Sequence, residues 1–164
     1  MAESFKSFNT SIAVTNHNAM VLIPSGLSGS NTESYSIPVA KTNTRDAGSI
    51  AQIHSIYITQ RATSKIQALD RYNPSNFSAF NLYIDDLSKS GYKIYVVYDG
   101  RIIPGSPFFI EKNITLEPSQ RLVIECPSDS YDYNSDNNTT SQLNTQNNIY
   151  LDISASVVLF PSSN

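Results

Sequence analysis

The sequence is short of the residues on which most catalytic and redox chemistry depends. Its 164 residues include one cysteine, two histidines, six glycines and no tryptophan. A single cysteine, Cys126, excludes an internal disulfide and a thiolate metal cage. We expect Cys126 to be a small apolar residue on the core face of a strand. No phosphate-binding glycine motif occurs. We therefore predict neither a metal nor a cofactor.

Charged residues are also scarce, at 15% of the chain against about a quarter in typical domains. The net charge is −3, and the lysines and arginines are scattered rather than gathered into the basic stripe that a nucleic-acid partner requires. No segment approaches the ~20 apolar residues of a membrane span, and no apolar signal region follows the first residues. We expect no nucleic-acid partner, no membrane partner and folding in a cytoplasm.

Catalytic constellations are not evident. Nucleophilic catalysis needs a base beside a serine, threonine or cysteine, and the histidines are His17 and His54. His54 falls inside a predicted strand, where a structural or surface role is favoured. The adjacent carboxylates Asp85 and Asp86 are expected to point apart at a strand end, which does not suit the paired carboxylates of a glycosidase. We predict no catalytic residue and a non-enzymatic function.

A clear pattern is found at residues 148–160. Apolar side chains occupy every second position, and Tyr150, Asp152, Ser154 and Ser156 occupy the alternate positions. Because successive side chains of a strand leave opposite faces, this pattern predicts a half-buried β-strand. The strand is long enough that we expect a bend or bulge within it. Its apolar face requires a second apolar face to cover it.

Several other segments have strand character, and none is a convincing helix. A phase slip between Ile53 and Ile56 predicts a bulge or a strand that is covered on both faces. Turns at 86–91 and 117–120 predict two antiparallel hairpins. We predict an all-β fold, an antiparallel β-sandwich or jelly-roll-like domain. The strand-like segments are 49–60, 79–84, 92–99, 108–110, 114–116 and 122–126.

Two regions depart from this pattern. Residues 1–48 contain short candidate strands at 11–14 and 19–23, a further extended segment at 35–40 that Pro38 restricts to an edge, and no long apolar face, so we predict an extended N-terminal arm or edge hairpin ahead of a sandwich domain at 49–164. Residues 127–147 form a long polar segment that is predicted to be a loop. Loops of this length inside a domain are usually disordered or functional. The arm and this loop are the predicted contact elements.

The chain is rich in tyrosine, with ten residues of this type. Tyrosine rings suit wet interfaces, and they also stack on sugars. Tyr131 and Tyr133 lie in the polar loop, whereas Tyr57, Tyr83, Tyr95 and Tyr150 occupy strand positions, where a tyrosine is also an ordinary half-buried residue. The predicted interface residues are Phe5, Phe8, Tyr35, Tyr131, Tyr133 and Leu143.

Five segments carry a resemblance to a known group of proteins. They are AQIHSIYIT at 51–59, the pair NLYIDD and YKIYVVYDG within 81–100, ITLEPSQRLVIEC at 114–126 and ISASVVLF at 153–160. Their order resembles that of the small β-sandwich virion proteins of tailed bacteriophages, especially those of cyanophages. About two thirds of the chain is covered. The loop at 127–147 and the N-terminal 48 residues depart from the pattern.

The resemblance implies a virion structural protein that decorates or cements the capsid, or forms part of the neck or tail. Its implied partners are capsid, neck or tail proteins and further copies of itself. A trimer is favoured because assembly hides the open edges of β-sheets. The alternative function is a carbohydrate- or receptor-binding module for host recognition, acting through Tyr131 and Tyr133. An enzyme is the least favoured class.

Overall fold

The computed structural model describes residues 3–14, 18–27, 37–62, 78–103, 105–126, 131–134, 139–142 and 149–162. All the secondary-structure elements in these ranges are β-strands. The described residues therefore contain no helix that could span a membrane. The strands are β1 (Ser4–Ala13), β2 (Asn18–Ile23), β3 (Ile50–Ala62), β4 (Ser78–Asp86), β5 (Lys93–Ile102), β6 (Phe108–Ile110), β7 (Ile114–Leu116), β8 (Gln120–Cys126), β9 (Tyr131–Asn134), β10 (Thr139–Gln142) and β11 (Ile149–Phe160).

Two antiparallel sheets contain nine of these strands. The first sheet has the order β1-β11-β3, and β6 and β7 both pair with the remaining edge of β3. The second sheet has the order β2-β8-β4-β5. The chain passes repeatedly from one sheet to the other. This order, with β6 and β7 sharing one position, is that of a jelly roll, so the predicted fold class is confirmed.

Strand β11 occupies the centre of the first sheet. It pairs with β1 on one side and with β3 on the other along its whole length. Its alternating pattern explains this position, because the apolar residues Leu151, Ile153 and Ala155 are buried while Asp152 and Ser154 face outward. A strand that is paired on both sides and apolar on one face needs a second sheet over that face. The second sheet supplies it.

A bulge lies in β3 where the sequence predicted a phase slip. Ser156 of β11 pairs with Ser55, but the next residue, Val157, pairs with Ile53. His54 is therefore the extra residue, and it is exposed. The bulge allows both Ile53 and Ile56 to reach the core, where each is fully buried. The predicted bulge is confirmed.

The core is one cluster of buried apolar side chains from both sheets. Cys126 belongs to it, as predicted, and burial raises the pKa of its thiol to about 12. The largest fully buried members of this cluster are Phe8, Phe80, Leu22, Ile23, Ile53, Ile56, Ile58, Leu82, Ile102, Leu116 and Leu122.

The extended N-terminal arm is not confirmed. Strand β1 pairs with β11 without interruption from Ser4 to Ala13, and β2 pairs with β8 in the opposite sheet. Both are edge strands, but they do not form a hairpin with each other. Their side chains Phe8, Ile12 and Leu22 lie in the same core as residues 49–164. The alternation in β1 is masked in the sequence because serine, threonine and lysine fill half of its ten positions.

The predicted hairpin at 113–126 is wrong, although its turn is present. The Gln120 amide donates to the Glu117 carbonyl over 2.9 Å, so Pro118 occupies the expected turn position. However, β7 pairs with β3 in the first sheet, whereas β8 pairs with β2 and β4 in the second. The turn therefore crosses between the sheets. Leu116 and Leu122 are both buried because the two strands face each other across the core.

The polar segment at 127–147 is not entirely a loop. Strands β9 and β10 within it pair with each other in an antiparallel two-stranded sheet. Alternation of apolar and polar residues is the signal for a half-buried strand, and this segment lacks it because it is almost wholly polar. Residues 127–130, 135–138 and 143–148 lie outside the described ranges.

One arginine joins the two sheets at one end of the sandwich. Arg45 donates to the carbonyl of Leu116, the last residue of β7, at 2.9 Å and to that of Glu117, the next residue, at 3.1 Å. It also donates to the carbonyl of Gln120, the first residue of β8, at 3.0 Å. It also donates to the side chain and the carbonyl of Ser49, just before β3. A planar guanidinium suits this arrangement because it presents five donors in a fixed geometry.

Candidate functional site

The outer face of the second sheet carries a continuous row of side chains. Backbone register places Val21 of β2 beside Val123 of β8, Val123 beside Tyr83 of β4, and Tyr83 beside Tyr95 of β5. At one end the row is covered by Ile37 and Val39, which pack on Val21, Tyr83 and Val123. The Val21 amide donates to the Pro38 carbonyl over 2.9 Å, which holds this cover in place. The other end of the row, on β5, is uncovered.

The uncovered end forms a group of rings that we name the tyrosine cluster, comprising Tyr83, Tyr95 and Tyr98. The ring centroids of Tyr83 and Tyr95 are 5.6 Å apart, and those of Tyr95 and Tyr98 are 5.1 Å apart in an edge-to-face arrangement. Tyr83 is buried, whereas Tyr95 is 44% and Tyr98 is 73% exposed. Tyr92 and Ile94 on the same strand and its turn are also exposed. The edge of the sheet thus presents a concentrated aromatic surface.

Electrostatics hold the buried member of the cluster in place. The Lys93 ammonium lies 4.2 Å from the centroid of the Tyr83 ring, within the range of a cation–π contact. Burial raises the pKa of the Tyr83 phenol above its usual value, and the charge of Lys93 partly opposes that rise. Tyr83 is therefore uncharged at neutral pH. The cluster presents neutral rings with one cation at its margin.

Bulges in β5 determine which groups at this sheet edge are accessible to another molecule. Pairing with β4 shifts register twice, once between Phe80 and Leu82 and once between Leu82 and Tyr83. Asp99 has a φ of 51°, and its amide donates to Asn81 Oδ1 over 2.9 Å. Bulges bend an edge strand and discourage another strand from adding to it. The side chains of β5, rather than its backbone, are therefore the groups that this edge exposes for a possible contact.

A second surface, which we name the sheet groove, lies on the outer face of the first sheet. It has a volume of about 400 Å3 and crosses β1, β11 and β3. Asn9, Ser154 and Tyr57 are neighbours in register, and so are Ser11, Asp152 and Thr59. Ser154 is short, so it makes a low floor between the taller side chains of Asn9 and Tyr57. The groove is a consequence of small outward residues on the central strand.

One wall of the sheet groove is aromatic. Tyr57 is 43% exposed, and its ring packs edge-to-face against Phe109 of β6, with centroids 6.1 Å apart and an angle of 70° between the ring planes. Phe109 is 52% exposed and pairs with Tyr57 in register. Because each ring restrains the other, the Tyr57 ring is fixed at the groove rather than free to sweep over it.

The remaining lining side chains are polar except for Ile153, and their charges are nearly balanced. The Ser11 hydroxyl donates to Asp152 Oδ1, and Arg61 Nε forms an ion pair with Asp152 Oδ2 over 3.1 Å. The guanidinium of Arg61 also lies 5.3 Å from the centroid of the Tyr150 ring. The negative charge of Asp152 is thus balanced by the adjacent cation. Hydroxyl, amide and carboxylate groups line a groove whose net local charge is close to zero.

The predicted interface residues near the N-terminus separate into one exposed and one buried side chain. Phe5 is 83% exposed on the outer face of β1. Phe8 is 1% exposed and lies in the core, because the register of β1 places it beside the buried Ala155. It packs inside the chain's own domain.

Only two of the other four predicted interface residues lie within the described ranges. Tyr131 and Tyr133 lie in β9, where Tyr131 pairs with Gln142 and Tyr133 with Thr140. Tyr35 and Leu143 lie outside the described residues. Neither Phe5 nor Phe8 belongs to the tyrosine cluster or lines the sheet groove.

The polar residues considered for chemistry have separate surroundings. Asp85 accepts two bonds from Arg121, at 2.7 and 2.9 Å, whereas Asp86 accepts bonds from Ser88 and Ser119. The adjacent carboxylates thus bind different partners, as their positions on a strand predicted. His54 is exposed at the bulge, and His17 lies outside the described residues.

Sequence reasoning identified Tyr57 and Tyr95 as strand residues that suit an interface, but it did not separate them from buried Tyr83. The segment YKIYVVYD alternates on both faces, so its pattern alone does not reveal which face is covered. Tyr98 and Phe109 were not singled out at all. The signal that identifies them is that β5 and β6 lie at sheet edges, which only the topology gives. No family model, no curated protein and no solved structure matches the chain.

Proposed function

We propose that the chain is a non-enzymatic structural protein of a tailed-phage virion. It decorates or cements the capsid, or forms part of the neck or tail, after synthesis in the host cytoplasm. Its partners are capsid, neck or tail proteins and further copies of itself, with a trimer favoured. The observation that carries this proposal is the tyrosine cluster at the β5 edge, where Tyr95 is 44% and Tyr98 is 73% exposed.

The composition of the cluster supports a protein partner. Interface cores are enriched in tyrosine and other aromatic residues and depleted in charge. Tyr95, Tyr98, Tyr92 and Ile94 are exposed within seven residues of sequence, and each is between 42% and 73% exposed. Scattered apolar residues on a surface need no explanation, and Ile94 pairs with the core residue Ile84 on the inner face of the strand, but the exposed rings of Tyr95 and Tyr98 contact each other on the outer face and support a contact site there. The bulged edge makes side-chain contact the mode of association.

Two further features agree with a role in an assembly. The jelly roll is an architecture of viral capsid proteins, although lectin domains share it. The scarcity of charge across the whole chain, at 15%, suits a surface that is covered by neighbours rather than one that is kept apart by repulsion. The segments that resemble phage virion proteins fall on β3, β4, β5, β7, β8 and β11, which form most of both sheets.

The first test measures the mass of the purified protein by light scattering over a range of concentrations. We expect an oligomer, and we expect the double variant Tyr95→Ser with Tyr98→Ser to shift it toward the monomer. Tyr57→Ser is the matched control, because Tyr57 has the same exposure as Tyr95 but lies on the other sheet. Circular dichroism and thermal unfolding confirm that each variant is folded.

The second test addresses the virion directly. Mass spectrometry of purified particles of the encoding phage should detect the chain at a copy number in a simple ratio to the major capsid, neck or tail protein. Absence of the chain from the particles would contradict the proposal, whatever its mass in solution. Deletion of residues 1–48 is not a suitable probe of assembly, because it removes β1 and β2 and with them an edge of each sheet.

A further inference from the structure

We propose that the sheet groove is a binding site for a neutral saccharide unit. This inference is independent of the proposed virion role, because the groove and the tyrosine cluster lie on different sheets. It also moves the predicted carbohydrate-binding function away from Tyr131 and Tyr133. The residues that carry it are Tyr57 and Asp152, together with Asn9.

The groove has the size and the mixed lining of a small-ligand site. Its volume of about 400 Å3 falls in the range of ~300–1,000 Å3 that is typical of such sites. It is formed by three paired strands rather than by loops, so its shape is fixed by the backbone ladder. A ligand therefore meets a preorganised surface, and little binding energy is lost in ordering the protein.

The chemistry of the walls fits a sugar ring better than other ligands. A pyranose ring has one face of C–H groups, which stacks on an aromatic ring, and a rim of hydroxyls, which need donors and acceptors. Tyr57 provides the ring, and Phe109 extends the aromatic wall. Asn9, Ser154 and Thr59 supply amide and hydroxyl groups along the floor and walls.

Charge also selects an uncharged ligand. Because Arg61 lies 3.1 Å from Asp152 and balances its charge, the groove exerts no strong attraction on either an anion or a cation. The Asp152 carboxylate uses only part of its hydrogen-bonding capacity in its contacts with Ser11 and Arg61. It can therefore also accept hydrogen bonds from vicinal sugar hydroxyls.

The experiment screens the full-length protein on an array of neutral glycans and follows any hit by calorimetric titration. We expect Tyr57→Ala to weaken binding at least tenfold, because the stacking wall is lost. Asp152→Asn should weaken it several-fold while leaving the shape of the groove unchanged. The matched control is Tyr98→Ala, which removes an exposed tyrosine from the second sheet and should leave binding unchanged.

Three results would overturn the proposal. The first is a folded wild-type protein that binds no neutral glycan. The second is a bound glycan whose affinity is the same in Tyr57→Ala as in the wild type. The third is a solution mass that falls in Tyr57→Ala, which would show that another protein copy occupies the groove. Asn9→Leu on β1 provides a second, independent alteration of the groove if Tyr57→Ala fails to fold.

Discussion

Replacement of Arg45 is expected to separate the role of one side chain from that of the hydrophobic core. The side chain of Arg45 reaches the carbonyls of Leu116, Glu117 and Gln120 at distances between 2.9 and 3.1 Å, and it also bonds Ser49. These groups lie at the ends of β3, β7 and β8, so the arginine connects the first sheet to the second. Arg45→Ala removes all of these bonds at once.

The size of the effect follows from the number and kind of these bonds. A hydrogen bond to a charged group contributes about 1.5–3 kcal/mol, but contributions within one cluster are not additive and water replaces part of what is lost. We therefore expect Arg45→Ala to lower the free energy of unfolding by about 3 kcal/mol. For a domain of this size, that loss corresponds to a fall in Tm of about 6–12 °C.

The chemical nature of the side chain provides a graded test. Arg45→Lys keeps the positive charge but presents one compact ammonium in place of a planar fork, so it cannot reach the ends of three strands together. We expect it to lose about half as much stability as Arg45→Ala. The control is Arg61→Ala, whose side chain is 55% exposed and whose ion pair with Asp152 should contribute about 0–1 kcal/mol.

The assay is urea denaturation followed by circular dichroism, with thermal unfolding as a second measurement. An unfolding free energy for Arg45→Ala within about 0.5 kcal/mol of the wild type, the range of ordinary surface substitutions, would refute the reasoning. So would an equal loss for Arg45→Ala and Arg61→Ala. Either result would mean that the bonds of Arg45 are replaced by water without cost and that the core alone holds the sheets together.

Three further predictions concern buried groups. Gly100→Ala should destabilise the fold by about 1–3 kcal/mol in urea denaturation, because its Cβ would lie 2.7 Å from Phe80 Cζ and from Val97 Cγ1; a neutral result would contradict the packing. Cys126 should react with a thiol reagent only after unfolding, since burial raises its pKa to about 12; rapid reaction of the native protein would count against this. Hydrogen bonds from Ser88 lower the pKa of the Asp86 carboxyl to about 2, below its value in the unfolded chain. The stability that ionised Asp86 contributes is therefore present above pH ~4 and is lost as the pH falls from ~4 to 2. Urea denaturation should show Asp86→Asn to be less stable at pH 6 and progressively closer to the wild type toward pH 2, and a difference that does not change with pH would oppose this explanation.

The strands that the sequence predicted well are those with a buried face and an outward polar face. Strand β11 is the clearest case, because its central position leaves one face in the core and the other polar. The bulge at His54 was also predictable, because a phase slip in an otherwise regular pattern has few other causes. Pairing of β4 with β5 followed from the short turn between them.

Strand β1 and the sheet assignment of β7 were not predictable from local pattern. Strand β1 is an edge strand in which three of the five inward positions are polar and apolar Phe5 faces outward, so Phe8 and Ile12 are the two apolar residues that it buries in the core. The turn at 117–120 is compatible with a hairpin and with a crossing between sheets, since both need only a tight turn. The choice depends on which partner strands are available, and that is a property of the whole chain.

The two candidate surfaces escaped prediction for a related reason. Tyr57, Tyr95 and Tyr98 all belong to strands with strong alternation, and alternation shows only that two faces differ. Whether a face is covered depends on segments distant in sequence, such as residues 37–39 over the second sheet. The bonds of Arg45 depend in the same way on three strand ends that meet only in the folded chain.

The opposite outer faces of the two sheets would allow the two proposed roles to be carried by separate surfaces of one chain. In a sandwich the outer faces of the two sheets point in opposite directions, because the inner faces pack on each other. The tyrosine cluster lies on the outer face and edge of the second sheet, and the sheet groove lies on the outer face of the first. Attachment to a virion through the cluster would therefore leave the groove facing away from the particle, where it can meet glycans of a host cell. The rigid core and Arg45 fix the relative orientation of the two surfaces.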